Sequence, residues 1–274
     1  MTTATATFPP IQRPSATHAL RVAAALWFAV LAAGQCVFVL YIVGFHGRAV
    51  IQGHPEIVNK VLPKGYVAGD LLGNAALAMH VAFAAAIIGG GLLQLLPRVR
   101  RAAPSLHRWN GRMYVALAVA ASLAGMFMML TRGTVGGPFM YAGMTGDALL
   151  VLIFGCLAVR EARARRFDSH RRWALRLFMA VSAVWFFRIG LMGWLVVNGG
   201  PVGFDPVSFR GAFLDVLAFA QYLLPLVVLE LYLRAQANGN AVAQGVMAGL
   251  LTTATAAMAA GIFGATMGMW LPRL

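Results

Sequence analysis

Charged residues are scarce in this sequence. Asp, Glu, Lys and Arg make up 11% of the 274 residues, whereas 60% are hydrophobic, and the mean hydropathy is +0.76. So few charges cannot form the polar shell that a soluble domain of this length needs. Apolar runs of about 20 residues, long enough to cross a bilayer, recur along the whole chain. The sequence therefore predicts an all-α, polytopic transmembrane helical bundle.

Common catalytic motifs are also missing. The sequence contains no glycine-rich phosphate loop, no HExxH zinc motif and no nucleophile elbow. Its two cysteines, Cys36 and Cys156, both lie inside apolar runs, so they predict neither a disulfide nor a cysteine-rich metal site. These absences argue against a hydrolase and favour redox chemistry or transport.

The apolar runs divide the chain into about seven predicted spans, of which spans two to five form the core. The predicted divisions are a disordered tail at 1–18, a first span at 19–45, an outer loop at 46–69, a core bundle at 70–198 and a C-terminal hairpin of spans six and seven at 211–274. Within the core we expect spans near 70–96, 113–131, 144–160 and 173–197.

The basic residues indicate how the spans are oriented. The formal net charge is +14, and the segments 98–112 and 160–176 carry five and seven arginines. Cytoplasmic loops of membrane proteins carry an excess of Lys and Arg. We therefore predict a protein of the bacterial cytoplasmic membrane with its N-terminus in the cytoplasm and its C-terminus outside. The charge then reflects topology and contact with anionic headgroups, not binding to nucleic acid.

Two similar basic segments, SLHRWNGRMY at 105–114 and SHRRWALRLF at 169–178, begin spans on the same side of the membrane. Each places a histidine at the same depth, so His107 and His170 can face each other. Two imidazoles can ligate the iron of a b-type haem, and guanidinium groups can neutralise its propionates. The sequence thus predicts His107 and His170 as haem-iron ligands, with four arginines as cofactor-binding residues: Arg108, Arg112, Arg171 and Arg176. Alternatively, these are ordinary interfacial residues, because Arg and Trp are common at span ends.

A second group of polar residues lies deeper in the predicted spans. His80 is about ten residues into span two, and Arg188 reaches a similar depth in span five. Asp147 and Asp215 lie closer to the outer ends of spans four and six. We expect these four residues to form an outer polar pocket that serves quinone or a proton path. The alternative is a structural network, in which Arg188 pairs with an aspartate and His80 donates to a carbonyl.

The segment from about 70 to 195 resembles a family of predicted bacterial membrane proteins that is catalogued as a domain of unknown function. The resemblance is carried by H-R-x-x-G-R-x-Y at 107–114 and by H-R-R-W at 170–173. It implies no established activity. Its motif positions here are His80, His107, Arg108, Gly111, Arg112, Tyr114, His170, Arg171, Trp173, Arg176 and Arg188.

A looser resemblance is to the diheme cytochromes b, which carry electrons across membranes. In those proteins, haem ligands pair helices two with four and three with five, and His107 and His170 match the second pairing. Span four has no histidine to partner His80; Met144 and Asp147 are poor substitutes. The resemblance therefore implies at most one haem b.

Three functions remain open on this evidence. The leading hypothesis is a haem-binding protein that exchanges electrons with quinone or another membrane carrier. The first alternative is a cofactor-free transporter of a small solute or of protons, which would use the outer polar pocket. The second is a structural or regulatory membrane subunit, whose polar residues only hold helices together.

The haem hypothesis predicts a characteristic visible spectrum. Purified in detergent from cells supplied with a haem precursor, the protein should show a sharp α-band in the dithionite-reduced minus air-oxidised spectrum. His107→Ala or His170→Ala should remove the band, because each change removes an axial ligand. A difference spectrum without an α-band, recorded on well-folded protein, would contradict the haem hypothesis.

Overall fold

The computed structural model describes residues 15–62 and 64–274, and these residues form nine α-helices and no β-strand. The predicted all-α, polytopic bundle is confirmed. In chain order the helices are α1 (Ala16–Ile51), α2 (Leu71–Leu95), α3 (Pro97–Ala102), α4 (Pro104–Arg132), α5 (Pro138–Arg163), α6 (Phe167–Val181), α7 (Ala183–Asn198), α8 (Ala212–Asn238) and α9 (Ala241–Ala265). Short turns of 3-10 or π helix follow α1 and α9, at Pro55–Lys60, Thr266–Trp270 and Leu271–Arg273.

Six of the helical segments in the described residues are long and apolar enough to cross a membrane. They are α1, α2, α4, α5, α8 and α9 with its extension to Arg273. The helices α6 and α7 are long and apolar enough only when they are taken together as one span, which is bent by 50°. The bend lies at Ser182, whose hydroxyl accepts a hydrogen bond from Gln35 Nε2 of α1 at 3.0 Å. The span predicted at 173–197 is therefore broken near its middle.

Several helices extend beyond the apolar runs that predicted them. Helix α1 ends at Ile51 instead of near 45, and α4 begins at Pro104 instead of near 113. Proline is favoured at the first position of a helix, because its missing N–H has no partner there anyway. His107 consequently lies on a helix and not in a loop. Of the predicted disordered tail, Ala16 to His18 belong to α1, and residues 1–14 lie outside the described residues.

The helices pack as two hairpins with flanking helices. Helix α2 packs against α4, α5 packs against α6, and α4 joins the hairpins by packing against α5. Both hairpins are connected at the end of the bundle that carries the arginines of 98–103 and 163–166, which we call the arginine-rich end; the other end is the opposite end. Helix α1 packs against α2 and α9, and α9 also contacts α7 and α8.

Glycines allow close approach between some of these helices. A Cβ on Gly143 of α5 would lie 2.5 Å from the Ala218 carbonyl oxygen of α8, and a Cβ on Gly261 of α9 would lie 2.5 Å from the Ile189 carbonyl oxygen of α7. Small residues at such crossings strengthen van der Waals packing, which drives helix association in lipid. The α5–α8 and α7–α9 pairs are thus closely fixed.

An ion pair ties α2 to α4 at the opposite end. Arg132, the last residue of α4, donates to Asp70 Oδ2 through Nε at 2.9 Å and through Nη2 at 2.6 Å, and to Asn74 Oδ1 at 2.8 Å. Asp70 Oδ1 also accepts from the Gly73 N–H at 2.9 Å and caps α2. The Gly73 N–H and the Arg132 guanidinium together lower the pKa of Asp70 below its usual value of 3.8. Both contacts favour the ionised carboxylate.

This ion pair should make the stability of the protein depend on pH. Because the pKa of Asp70 is lowered in the folded state, its contribution is complete above the ordinary carboxyl pKa and is lost as pH falls through the folded value. The thermal midpoint in detergent should therefore be constant above about pH 5 and should drop as pH falls below it. Asp70→Asn, which can still cap α2, should show a smaller drop. If the thermal midpoint of Asp70→Asn dropped as far as that of the wild type, the Asp70–Arg132 ion pair would not be the source of the pH dependence.

Candidate functional site

Arg188 places a guanidinium group at the mid-depth of the bundle. It is the sixth residue of α7, and its Nη1 donates to the Val184 carbonyl oxygen, one turn earlier, at 3.2 Å. Its guanidinium carbon lies 5.3 Å from the ring centre of Phe38 on α1. A guanidinium has five N–H groups to donate. Within the described residues one of them is engaged, and no carboxylate forms an ion pair with Arg188.

Three titratable side chains lie within electrostatic reach of Arg188. His80 approaches from α2, and Tyr41 and His46 approach from α1. None of these residue types is ordinarily negative near neutral pH. With Phe38 they form what we call the Arg188 cluster. The positive charge of this cluster is therefore not balanced by any of its own side chains.

The His80 ring is held in one orientation. Its Nδ1 donates to the Ala121 carbonyl oxygen of α4 at 2.9 Å, and the ring lies against Gly125, where a Cβ would be 3.3 Å from Cε1. The carbonyl can only accept, so Nδ1 carries the proton and Nε2 of a neutral ring remains an acceptor. The expectation that His80 donates to a carbonyl is thus met, and His80 also ties α2 to α4.

The approach to the cluster from the opposite end is basic. Arg273 lies within electrostatic reach of Tyr41, and Arg48 Nη1 donates to the Leu274 carbonyl oxygen at 2.7 Å. The nearest acidic residue along the chain from α1, Glu56, pairs with His54 at 3.0 Å. Arg273 also donates to the Met269 carbonyl oxygen through Nη1 at 2.6 Å. Two arginines therefore lie at the end of α1 and α9 nearest to the cluster.

The two aspartates of the predicted pocket lie elsewhere. Asp147 is on α5 and lies within electrostatic reach of Tyr222 on α8. Asp215, near the start of α8, lines an open groove on the outer surface together with apolar residues such as Phe139 and Val216. Of the four residues predicted to form one pocket, the structure brings together His80 and Arg188 and places the two aspartates apart from them.

His107 on α4 and His170 on α6 lie close enough for a charge on one to affect the other. His170 Nδ1 donates to the Ala158 carbonyl oxygen of α5 at 2.9 Å, which leaves Nε2 free to bind a metal. His107 Nδ1 is buried and has no hydrogen-bond partner among the residues that the structure describes. The described residues contain no group of three or more His, Cys, Asp or Glu side chains suited to a metal ion. A haem would have to rely on this pair alone.

The arginines near this pair are only partly available to a cofactor. Arg176 makes a two-bond ion pair with Glu230 of α8, at 2.6 and 3.0 Å, and its guanidinium lies 4.5 Å from the Trp173 ring centre. Arg171 reaches Gln236 at 3.4 Å. Arg108 and Arg112 are exposed. The charge of Arg176 is therefore already balanced by Glu230.

Aromatic rings fill the space between α2, α4 and α6 about two helical turns from the histidines. A Cβ on Gly91 would lie 2.9 Å from Tyr114 Cε2 and 3.2 Å from Phe178 Cε2. A haem bound between His107 and His170 would have to lie at the arginine-rich end or displace these rings. The two histidines could supply the axial ligands of haem iron, but the rings of Tyr114 and Phe178 occupy space that the porphyrin would need. Haem b stays a prediction.

Sequence reasoning missed the part that α1 plays in the Arg188 cluster. Phe38, Tyr41 and Phe45 follow one another at helical spacing, and their stacked rings pack with Trp270. This aromatic stripe is a signal that could have marked the face of α1 that packs against Trp270 and places Phe38 beside Arg188. His46 was assigned to a loop because the apolar run ends near 45, yet α1 continues through it.

A family of predicted membrane proteins, DUF2306, matches residues 77–224, which is more than half of the chain. The chain belongs to this family. The match runs from α2 to the middle of α8, so this DUF2306 protein shares with its family the segments that hold His80, His107, Asp147, His170 and Arg188. The match extends past the predicted end near 195, and α1 and α9 lie outside it. No curated protein and no solved structure matches the chain.

The unbalanced charge of Arg188 should destabilise the protein when nothing is bound. Arg188→Met keeps the aliphatic stem but removes the guanidinium, and it should stabilise the ligand-free protein by about 1–3 kcal/mol, because an unpaired charge in a low dielectric is costly. Unfolding in a denaturing detergent would measure this difference.

Arg234→Met is the matched control, because Arg234 is exposed near the end of α8. It should change the free energy of unfolding by less than about 0.5 kcal/mol. A clear loss of stability in Arg188→Met would show instead that the guanidinium has a stabilising partner within the protein.

Proposed function

We propose that this DUF2306 protein binds a small organic anion at Arg188 and carries it across the membrane. The observation that supports this function best is the guanidinium of Arg188, which lies at mid-depth without a carboxylate partner among the described residues. Ionisable groups within spans are expensive, and they usually mark the pathway of a substrate or an ion. An anion would supply both the missing charge and the missing hydrogen-bond acceptors.

The surroundings of Arg188 favour an anion with an apolar part. Phe38 and Tyr41 are aromatic neighbours of the guanidinium, and carboxylate or sulfonate oxygens suit its planar fork. His80 Nε2 offers one more polar contact on the α2 side. Because the arginine-rich end is expected to face the cytoplasm, the anion would enter from outside, past Arg48 and Arg273.

The bent span supports transport rather than static binding. Arg188 lies six residues after Ser182, where α6 and α7 meet at 50°. Discontinuous helices commonly form the substrate sites of secondary transporters. The Gln35–Ser182 hydrogen bond joins the bend to α1, which also carries Phe38 and Tyr41. Movement at the bend would therefore alter the distance between Arg188 and the α1 side of the cluster.

Haem-dependent electron transfer is the second candidate function. One observation favours it: His170 donates through Nδ1 to Ala158, the arrangement that leaves Nε2 ready to ligate iron. His107, Arg108 and Arg112 would then complete the cofactor site, with quinone or another membrane carrier as redox partner. The reduced-minus-oxidised spectrum decides this candidate independently of any test at Arg188.

Anion uptake into proteoliposomes tests the proposed function. Radiolabelled benzenesulfonate is a suitable probe, because its charge is permanent and it cannot cross lipid as a neutral acid. Wild-type protein should accelerate its uptake over that of protein-free liposomes. Arg188→Gln should lower the accelerated rate about tenfold or more, as the loss of a charged hydrogen bond worth roughly 1.5–3 kcal/mol predicts.

Two further variants control the uptake measurement. Arg188→Lys keeps the charge but loses the fork, so it should retain part of the activity. Arg234→Gln removes an equal charge from an exposed position and should behave as wild type. Uptake that is equal in wild type and Arg188→Gln would contradict the proposal, as would wild-type uptake no faster than that of empty liposomes.

A further inference from the structure

Asp147 lies at the contact between α5 and α8, apart from the Arg188 cluster. The two helices run in the same direction and meet closely: a Cβ on Gly143 would lie 2.5 Å from the Ala218 carbonyl oxygen, and a Cβ on Gly146 would lie 2.9 Å from the Tyr222 hydroxyl oxygen. Asp147 lies four residues after Gly143 on α5, and Tyr222 lies four residues after Ala218 on α8. Both side chains are therefore one helical turn further along the contact between the two helices.

One carboxyl oxygen of Asp147 lacks a hydrogen-bond partner within residues 15–62 and 64–274. Oδ1 is buried, and no described donor forms a hydrogen bond with it. An ionised carboxylate is an acceptor only, with about four lone-pair positions to satisfy, whereas the neutral acid carries no charge and can itself donate through its O–H. Burying an isolated carboxylate is costly enough that such groups take up a proton instead. The surroundings thus favour neutral Asp147.

No cation faces Asp147 from the helices packed against α5. On α8, the titratable neighbour is Tyr222. On α4, Tyr114 is the one titratable residue between Arg112 and Arg132, and it packs against Gly91 of α2. On α6, no titratable residue follows Arg176. None of these arginines forms an ion pair with Asp147.

We propose that Asp147 is a proton-binding site, which holds a proton at neutral pH and exchanges it with water. The proton leaves the carboxyl oxygen as the carboxylate forms, and no other bond is broken. Asp147 would bind its proton whether or not Arg188 binds an anion. If both sites operate, the protein has a proton site between α5 and α8 and a separate anion site beside Phe38 of α1.

Infrared spectroscopy of the purified full chain tests the protonation of Asp147 directly. At neutral pH the wild-type protein should show the C=O stretching band of a carboxylic acid, which ionised surface carboxylates lack, and the band should shift in D2O as O–H becomes O–D. The near-isosteric Asp147→Asn should lack this band. Asp215→Asn is the matched control and should keep it.

Labelling of the unaltered chain gives a second measurement that needs no variant. Dicyclohexylcarbodiimide reacts with protonated carboxyls in apolar surroundings: the acid O–H adds across a C=N bond to give an acylisourea, which rearranges to a stable acylurea. Peptide mass mapping should place one adduct on Asp147 and none on Asp215. A band unchanged by Asp147→Asn, or labelling that spares Asp147, would overturn the proposal.

Discussion

Lipid offers no hydrogen bonds, and this constraint governs where the polar side chains of the spans lie. In the α2–α4 hairpin, His80, Gln94 and Asn110 each donate to a backbone carbonyl of the other helix. Gln35 donates to Ser182 at the bend of the sixth and seventh helices. Because these bonds cross between helices, they satisfy buried polar groups and also set the depth at which one helix meets the next.

Arg188 and Asp147 depart from this pattern. They carry groups of opposite charge type in the same bundle, and a direct ion pair would relieve the cost of burying both. The fold keeps them apart instead: Arg188 lies beside Phe38 of α1, and Asp147 lies at the contact between α5 and α8. Residues that break a local rule without a compensating contact are expected at functional sites. This separation is the physical basis for assigning an anion to Arg188 and a proton to Asp147.

The sequence was sufficient for the fold class, because that follows from the apolar runs. The outer polar pocket stays a prediction, of which the structure places His80 within electrostatic reach of Arg188. The sequence could not predict that Asp147 faces Tyr222, since the direction of a side chain depends on which helices are neighbours. The bend at Ser182 was missed for a related reason: no proline or glycine marks it.

Helix ends were misjudged where polar residues continue a helix beyond the apolar run. His46 and His107 both belong to helices that extend past the hydrocarbon-length segment. A residue's propensity to form a helix and its preference for lipid are separate properties. Hydropathy alone therefore does not locate the first and last residues of a helix. This matters for function, because His46 on α1 contributes to the Arg188 cluster only through that extension.

The most direct test of the unbalanced charge at Arg188 is an experimental structure in lipid, crystallised with bromide and recorded near the bromine absorption edge. An anomalous peak within hydrogen-bonding distance of the Arg188 guanidinium, absent in Arg188→Met, is the predicted result. A carboxylate of the protein in contact with the guanidinium, with no bromide beside it, would contradict an anion site at Arg188.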